Sequence, residues 1–419
     1  MFQWSNLVIV ALTQKCNLNC KYCFLGDKST LPETSMNFKT FKKIIDKIVS
    51  DFQRSGRKTS IQILLHGGEP LLLEASLLDK MLTYAEATLS AYNIPYRLSI
   101  QTNGINLTST YIEILKEHNV EIGVSIDSVI GNLRASTSLN QTVLNNIENA
   151  KNADTSIGTN TVITKDNLDT ALYDIGNTLP PNLRSTKVFA VEDCYPDQEY
   201  SPSAKEYFEE VIKPSFYLYL EGKEYPAGMI DRSISRYVFY KCTIHSYDEC
   251  HSTCQFKYCG ASVNLVSIMP DGRVRLCDHW RGDEDFYDPI VSNVGDYDFL
   301  NLNQLNALVK WINYLDPYYK KCDNCLLADY CVHPCPLLKI KRNNNKLENC
   351  DFSFNCELTK LMFDFYEKNL SFIIDSLIEH RRGIVQCEEM SAFQSSYNPD
   401  LQDYRIAIKN EHVLEISHV

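Results

Sequence analysis

The first 220 residues alternate short apolar runs with longer segments of helical periodicity. Runs typical of buried strands lie at 7–12, 61–65, 96–101, 120–126, 158–164 and 186–191. Between the first two runs, Phe41, Ile45 and Ile48 recur at helical spacing and form one apolar face. Repeated strand–helix units predict a parallel sheet covered by helices. Right-handed connections would wind six units into a partial barrel, and an open doubly wound sheet would give the same pattern.

Composition restricts the class of protein. The 419 residues are 44% hydrophobic and 22% charged, which is typical of a globular chain with two or three structural units. The net charge of -12 argues against nucleic-acid binding. No apolar run approaches the roughly 20 residues of a membrane span, and the run at 7–12 lacks the features of a signal peptide. We therefore expect a cytoplasmic protein that binds neither nucleic acid nor membrane.

Three cysteines, Cys16, Cys20 and Cys23, directly follow the first predicted strand and are called the cysteine trio below. An odd number of cysteines without a secretory segment argues against disulfides. Structural zinc usually takes four ligands from two knuckles, and a second knuckle here would come from far along the chain. An iron–sulfur cluster normally takes four thiolates, so three leave one iron open. Zinc and an open cluster remain the alternatives.

The spacing Cys-x3-Cys-x2-Cys, with Tyr22 before the last cysteine, resembles the signature of the radical S-adenosylmethionine (SAM) enzymes. The resemblance implies that the trio holds a 4Fe-4S cluster whose open iron is chelated by SAM. It also implies reductive cleavage of SAM to a 5'-deoxyadenosyl radical that abstracts a substrate hydrogen. As to fold, it favours an α/β chain with a partial (β/α)6 TIM-type barrel followed by a cysteine-rich domain with a β-hairpin and helices.

Polar residues follow the next predicted strands. The second strand ends in Gly67-Gly68-Glu69-Pro70, where two glycines allow backbone to approach a ligand closely. The turn resembles the family's GGEP motif, which receives the amino group of SAM. By the same resemblance, the SAM contacts are Gly67, Gly68, Glu69, Thr102, Asn103, Ser125 and Asn160. After Asp127 the chain departs from the pattern, because the usual His-Asp-x-x-Arg stretch is shortened, and no role is carried over to Arg134.

A second group of cysteines begins after residue 240, around a predicted hairpin with its turn at Pro270-Asp271-Gly272. Its order and spacing resemble the SPASM extension of radical SAM enzymes, which carries two auxiliary 4Fe-4S clusters. The resemblance implies that auxiliary cluster I is held by Cys254, Cys259, Cys277 and Cys335, with Cys242 or Cys250 as alternatives to Cys254. Auxiliary cluster II would be held by Cys322, Cys325, Cys331 and Cys350, with Cys356 as the alternative to Cys350. One or two zinc ribbons are the other interpretation.

The predicted domains are a radical SAM barrel at 1–225, a SPASM domain at 226–356 and a C-terminal helix and tail at 357–419. A helix is expected at 302–311 and another at 357–382. The tail at 404–416 alternates as a strand would, and it could bind a peptide by strand addition.

The resemblance implies a maturase that installs an oxidative cross-link in a ribosomally made peptide. Asp278, next to Cys277, is the candidate general base, and His279 is the alternative. His66 and Leu71-Leu72-Leu73, on either side of the GGEP motif, resemble the peptide-cyclising members. Expected partners are a peptide or protein substrate, an electron donor such as flavodoxin or ferredoxin, and a separate leader-binding protein. A sulfatase maturase that forms formylglycine is the alternative enzyme, and a non-catalytic metal-binding or electron-transfer protein is the alternative of another class.

Overall fold

The computed structural model describes most of the first 220 residues and parts of the remainder. The described residues are 7–23, 25, 34–56, 59–130, 133–170, 187–190, 198–220, 230, 233–234, 237, 261, 265–275, 277–279, 290–293, 311, 313–328, 330–331, 334–343, 347 and 350–370. Residues 302–310 of the helix predicted at 302–311, the tail at 404–416, and Cys242, Cys250, Cys254 and Cys259 lie outside them.

Nine strands form one sheet. They are β1 (Leu7–Thr13), β2 (Ile61–Gly67), β3 (Tyr96–Thr102), β4 (Glu121–Ser125), β5 (Ile157–Ile163), β6 (Lys187–Ala190), β7 (Leu265–Ile268), β8 (Arg273–Arg275) and β9 (Ile290–Asn293). The strand order is β6-β5-β4-β3-β2-β1-β7-β8-β9, with parallel pairing from β6 through β7. The six predicted strands and the partial TIM-type α/β barrel are confirmed.

Eight α-helices lie within the described residues, and the first four alternate with the strands β1 to β5. They are α1 (Phe38–Ser55), α2 (Ala75–Ala91), α3 (Ser109–Glu117), α4 (Thr137–Asn152), α5 (Ala204–Tyr207), α6 (Lys213–Leu220), α7 (Pro336–Arg342) and α8 (Ser353–Lys368). Asn37 caps α1 by accepting a hydrogen bond from the Thr40 backbone at 2.9 Å. Within the described residues, none of these helices has the length and apolar character needed to cross a bilayer.

Alternation along each strand separates two faces. In β2, Ile61, Ile63 and Leu65 are buried in the core with the helices, whereas Gln62 and His66 point to the other, concave face. Because parallel strands end at the same edge of a sheet, the loops after β1 to β5 meet at the mouth of this barrel. The sheet therefore brings together the segments that the sequence marks as functional.

The predicted hairpin is present as β7 and β8. Gly272 occupies its turn with a φ of +90°, and its N–H donates to the Met269 carbonyl at 2.9 Å. β7 also pairs in parallel with β1, placing Leu265 opposite Leu7. The cysteine-rich region thus extends the barrel sheet at its β1 edge.

Helix α8 begins four residues before the predicted start at 357, and its predicted end at 382 lies outside the described residues. It packs on the segment around α5 and α6, where Phe365 makes edge contacts with Phe208 and Phe216 at centroid distances of 5.6 and 5.0 Å. Tyr366 and Ser233 share a buried hydrogen bond of 2.7 Å. Aromatic packing therefore connects this helix to the barrel.

His118, at the end of α3, is expected to make stability depend on pH. Its ring nitrogens lie 2.8 Å from Glu86 and 3.1 Å from Asp79 on α2. Burial alone lowers the pKa of His118, but these two carboxylates outweigh it and raise the pKa. The stabilisation is therefore present below the unfolded pKa of about 6.5 and lost as pH rises through the higher folded pKa.

The measurement is urea unfolding of wild type and His118→Gln between pH 5.5 and 8.5. We expect the wild type to lose up to about 1 kcal/mol relative to the variant as pH rises, because both carboxylates are nearly half exposed and screened by water. A constant difference between the two proteins across this range would contradict the assignment.

Candidate cofactor site at the mouth of the barrel

The cysteine trio lies on the loop between β1 and α1, at the carboxyl end of the sheet. Cys20 is buried with Leu18 and Tyr22 against Val162 of β5, and Cys16 and Cys23 are partly buried beside this cluster. The Leu18 backbone N–H donates to the Cys16 sulfur at 3.5 Å. The loop therefore folds back over the mouth of the barrel.

The two glycines after β2 pack directly on this loop. The Gly68 N–H donates to the Thr13 carbonyl, and the Glu69 N–H to the Lys15 carbonyl, each at 2.7 Å. A Cβ on Gly68 would lie 2.1 Å from the Lys15 carbonyl oxygen, and Gly67 has a φ of +127°. The two glycines thus allow the end of β2 to pack closely on the backbone of the loop that carries the cysteine trio.

Glu69 joins the ends of β2 and β3. Its buried carboxylate accepts from the Leu71 N–H at 3.0 Å, the Thr102 hydroxyl at 2.7 Å and the Asn103 N–H at 2.7 Å. Burial raises the pKa of Glu69, although the three hydrogen bonds oppose this. The Thr102 hydroxyl also accepts from the Gly104 N–H at 3.0 Å. The side chains of Glu69 and Thr102 thus connect the ends of β2 and β3 at the mouth of the barrel.

Asn103 connects the end of β3 to the trio. Its side-chain nitrogen lies 2.6 Å from the Asn17 Oδ1 and 3.9 Å from the Cys16 sulfur, and its Oδ1 accepts from the Ile105 N–H at 3.0 Å. Cys16 therefore has two N–H groups directed at its sulfur. Such donors suit a thiolate ligand, because hydrogen bonds to sulfur tune iron–sulfur clusters.

Ser125 and Asn160 face each other across β4 and β5, and Gln101 joins them. The Gln101 Nε2 donates to the Ser125 Oγ at 2.8 Å, and the Asn160 Nδ2 donates to the Gln101 Oε1. Sequence reasoning missed Gln101, although its place directly before Thr102-Asn103 on the same strand is a usable signal.

Arg134, to which the sequence assigned no role, lies between Asp127 and the trio. Its Nη1 is 3.4 Å from the Tyr22 hydroxyl. Burial alone lowers the pKa of Arg134, but the charges of Asp127 and of the three cysteines together raise it. Burial also raises the pKa of Asp127 to about 6, opposed by Arg134 and by the Val162 N–H that donates to its Oδ1. The altered spacing after Asp127 concealed this arginine in the sequence.

Residues from the cysteine-rich region approach β2. The Cys277 thiol donates to Asp278 Oδ1 at 3.2 Å, and the Cys335 sulfur lies 3.9 Å from His279 Nδ1. Burial raises the pKa of Asp278, but His279, His66 and the Cys277 thiol outweigh it and lower the pKa. Conversely, burial lowers the pKa of His66, although Asp278 opposes this. Asp278, His279 and His66 thus share one electrostatic environment.

The later cysteines form a second group. Burial raises the pKa of Cys322 to about 11, and the neighbouring Cys331, Cys356 and Cys325 add to the shift. Cys350 is buried in the apolar core, against which Cys322 and Cys335 also pack. Across the described part of the chain, no three His, Cys, Asp or Glu side chains converge closely enough to hold a single metal ion.

Comparisons with known proteins agree with the barrel. Residues 10–174 match the model of the Radical SAM superfamily. An uncharacterized protein of Methanocaldococcus jannaschii is 35% identical over 29% of this chain and 38% of its own length. The radical SAM cyclopropyl synthase TigE of Paramaledivibacter caminithermalis is 25% identical over 84% of this chain and 72% of its own length. A serine-type anaerobic sulfatase-maturating enzyme of Bacteroides thetaiotaomicron is 30% identical over 27% of each chain. The chain thus spans about a third of the first of these relatives and about a quarter of the third.

The solved structure of anSMEcpe with bound AdoMet has the same fold, with a TM-score of 0.67, 16% identity and coverage of 88% of this chain and 98% of that one. Streptococcus suis SuiB bound to the precursor peptide SuiA gives a TM-score of 0.52 at 16% identity, covering 81% and 73%. Residues 10–174 thus carry a domain of the Radical SAM superfamily, and the chain shares the fold of anSMEcpe.

Proposed function

We propose that this enzyme is a maturase that modifies a ribosomally made peptide and installs an oxidative cross-link. The observation that carries the proposal is the approach of Asp278 and His279, from the cysteine-rich region, to His66 on the concave face of the barrel. This arrangement puts a carboxylate and two imidazoles beside the strand that leads into the GGEP motif, where a side chain of the substrate could be deprotonated.

The donors at the barrel mouth fit the cofactors of the family. Cys16, Cys20 and Cys23 are assigned to a 4Fe-4S cluster. The residues assigned to SAM are Gly67, Gly68, Glu69, Thr102, Asn103, Ser125 and Asn160. Bound cluster and SAM would supply a 5'-deoxyadenosyl radical that takes a hydrogen atom from a substrate carbon. Arg134 adds a cation between Asp127 and the trio, which suits an anionic group of the ligand.

Two auxiliary clusters form part of the proposal. Cys277 and Cys335 belong to the set assigned to cluster I, and the His279 ring lies 3.9 Å from the Cys335 sulfur. For cluster II, the grouping of Cys322, Cys325 and Cys331 with Cys356 supports Cys356, the alternative left open by the sequence, over Cys350. An external donor such as flavodoxin or ferredoxin would supply electrons, and a separate protein could present the peptide leader.

The names of similar proteins support a peptide substrate. TigE is a cyclopropyl synthase, SuiB was solved with a precursor peptide, and anSMEcpe was solved with a Cp18Cys peptide. Sulfatase maturation is the second candidate, because the sulfatase-maturating relatives match and the fold is that of anSMEcpe.

The experiment incubates the anaerobically reconstituted enzyme with SAM, a reductant and two peptides in parallel. One is a precursor peptide encoded beside the gene, and the other carries a Cys or Ser sulfatase motif. Formation of 5'-deoxyadenosine with loss of two hydrogens and a new cross-link in the precursor peptide would support the first proposal. Formylglycine in the second peptide alone would replace it with sulfatase maturation, and no SAM cleavage with either would overturn both.

Asp278→Asn is expected to lower peptide modification about 10²-fold or more while SAM cleavage without substrate persists, because a positioned base contributes about 10² to 10⁴. Asp271→Asn is the matched control, since this carboxylate lies in the exposed hairpin turn and bonds only nearby Arg273 groups among the described residues. Rates are followed by mass spectrometry of the peptide. If His279→Gln loses the activity and Asp278→Asn keeps it, the histidine is the base.

A further inference from the structure

Gln101 lies at the centre of the concave face, with its side chain extended across a neighbouring strand. The register pairs Gln101 on β3 with Gly123 on β4, and Ser125 on β4 with Asn160 on β5. Gly123 and Ser125 are two residues apart and therefore share a face of β4. The Gln101 amide passes over Gly123 and reaches both Ser125 and Asn160. One amide thus bridges three strands, a span of roughly 10 Å between the outer two.

Gly123 provides the space for this crossing. A Cβ there would lie 2.5 Å from Gln101 Oε1 and 3.3 Å from its Cδ, and the next atom, the Ile100 carbonyl oxygen, is at an ordinary 3.5 Å. The missing side chain at position 123 therefore accommodates Gln101 specifically.

The bridge fixes the direction of each hydrogen bond. A serine hydroxyl has one hydrogen to donate, and the Ser125 oxygen already accepts from the Gln101 Nε2. Its own hydrogen must point elsewhere, and among the described residues none is recorded as its acceptor. Asn160 gives one amide hydrogen to Gln101, which leaves its carbonyl oxygen and second N–H for another partner.

We propose that Gln101 is a positioning residue that holds Ser125 as a hydrogen-bond donor and Asn160 as a ligand-facing amide, so that SAM is bound in one orientation. The ligand group that suits Ser125 is an acceptor such as a carboxylate oxygen. This inference rests on the proposed function, in which Ser125 and Asn160 contact SAM.

A similar pair one layer deeper in the barrel provides a control. The Gln62 Nε2 donates to the Ser99 Oγ at 3.1 Å, and Ser99 precedes Gln101 by two residues on the same face of β3. Two residues along a strand place this pair about 7 Å farther from the mouth. Gln62→Glu changes the same chemistry away from the ligand.

The test measures SAM affinity of the cluster-reconstituted full chain by anaerobic equilibrium dialysis. Gln101→Glu keeps the size of the side chain and both contacts, but the new carboxylate can only accept hydrogen bonds. The Ser125 hydroxyl must then donate its hydrogen to this carboxylate and can no longer donate it to SAM. We expect about tenfold weaker SAM binding, similar to Ser125→Ala, because one hydrogen bond to a charged group is lost. The double variant Q101E/S125A should bind no more weakly than either single variant.

A second double-mutant cycle uses substitutions that leave the charge of the protein unchanged. Gly123→Ala should displace the Gln101 side chain and weaken SAM binding severalfold, whereas the same substitution in a Gln101→Ala background should have no further effect. Iron content and the change in the electron paramagnetic resonance spectrum on SAM addition are recorded for every variant, and Gln62→Glu should match wild type in both.

A failure of the proposed function and a failure of the Gln101 bridge give different results. Wild type that holds its cluster without binding SAM would overturn the proposed function. If wild type binds SAM and Gln101→Glu binds it equally tightly, only the role of Gln101 is overturned. Additive losses in Q101E/S125A, or a full effect of Gly123→Ala in the absence of Gln101, would show that the affinity change does not pass through the bridge and would also overturn it.

Discussion

Gly68→Ala is expected to abolish SAM cleavage. The new Cβ would lie 2.1 Å from the Lys15 carbonyl oxygen and 2.7 Å from that of Gln14, which are backbone atoms that no side-chain rotation can remove. Relief requires the trio's loop or the end of β2 to move, and either movement breaks the 2.7 Å bonds from Gly68 to Thr13 and from Glu69 to Lys15. We expect a stability loss of about 3 kcal/mol, at the upper end for overpacking, and at least about a 10³-fold loss of 5'-deoxyadenosine formation.

Gly56→Ala is the matched control for this prediction. Gly56 ends α1 in a left-handed conformation with a φ of +64°, and a Cβ there would meet nothing within 4 Å. The change should cost about 1 kcal/mol through backbone strain alone and leave SAM cleavage unchanged. Measurement of 5'-deoxyadenosine, iron content and urea unfolding separates the two variants. Near wild-type cleavage by Gly68→Ala would show that this contact does not position the trio.

Cys356→Ala is expected to remove one auxiliary cluster, whereas Cys350→Ala keeps it. Cys356 is exposed and adds, with Cys325 and Cys331, to the raised pKa of the Cys322 thiol, whereas Cys350 is buried in the apolar core. A thiol that faces the other cysteines can serve as their fourth ligand, and a buried one is typically a small core residue. We therefore expect iron to fall from about twelve to about eight atoms per chain in Cys356→Ala.

Iron and sulfide analysis with Mössbauer spectroscopy of the reconstituted proteins makes this measurement. Cys350→Ala should retain the full iron content and lose about 1 to 2 kcal/mol of stability through the small cavity that it leaves. The reverse pattern, with iron lost only in Cys350→Ala, would restore the first assignment. Full iron in both variants would mean that cluster II uses neither cysteine.

Local sequence was sufficient to predict the strands, because each strand is a short apolar run that can be recognised by itself. The apolar runs ending near Leu12, Leu65 and Gln101 became β1, β2 and β3 within two residues of their predicted ends, and the hairpin turn at Gly272 formed as expected. Burial of alternate residues on a covered sheet needs only this short-range pattern. The spacing of the trio likewise indicated the family.

The contacts at the barrel mouth depend on which strands and loops are neighbours in the fold. Glu69 and Thr102 were expected to face SAM, yet the fold also directs their side chains to each other, because β2 and β3 end side by side. No spacing in the sequence would reveal that contact. The same holds for Arg134, which the altered motif concealed and which the chain returns to Tyr22 beside the trio.

The sequence by itself determined the strand–helix repeat, the hairpin and the three-thiolate loop, since these depend on periodicity, turn chemistry and spacing within a few residues. Only the tertiary structure decided that β7 joins β1 and that Gln101 bridges Ser125 and Asn160 over Gly123. Those contacts join residues distant along the chain, and they form only when the sheet register and helix packing bring the residues together.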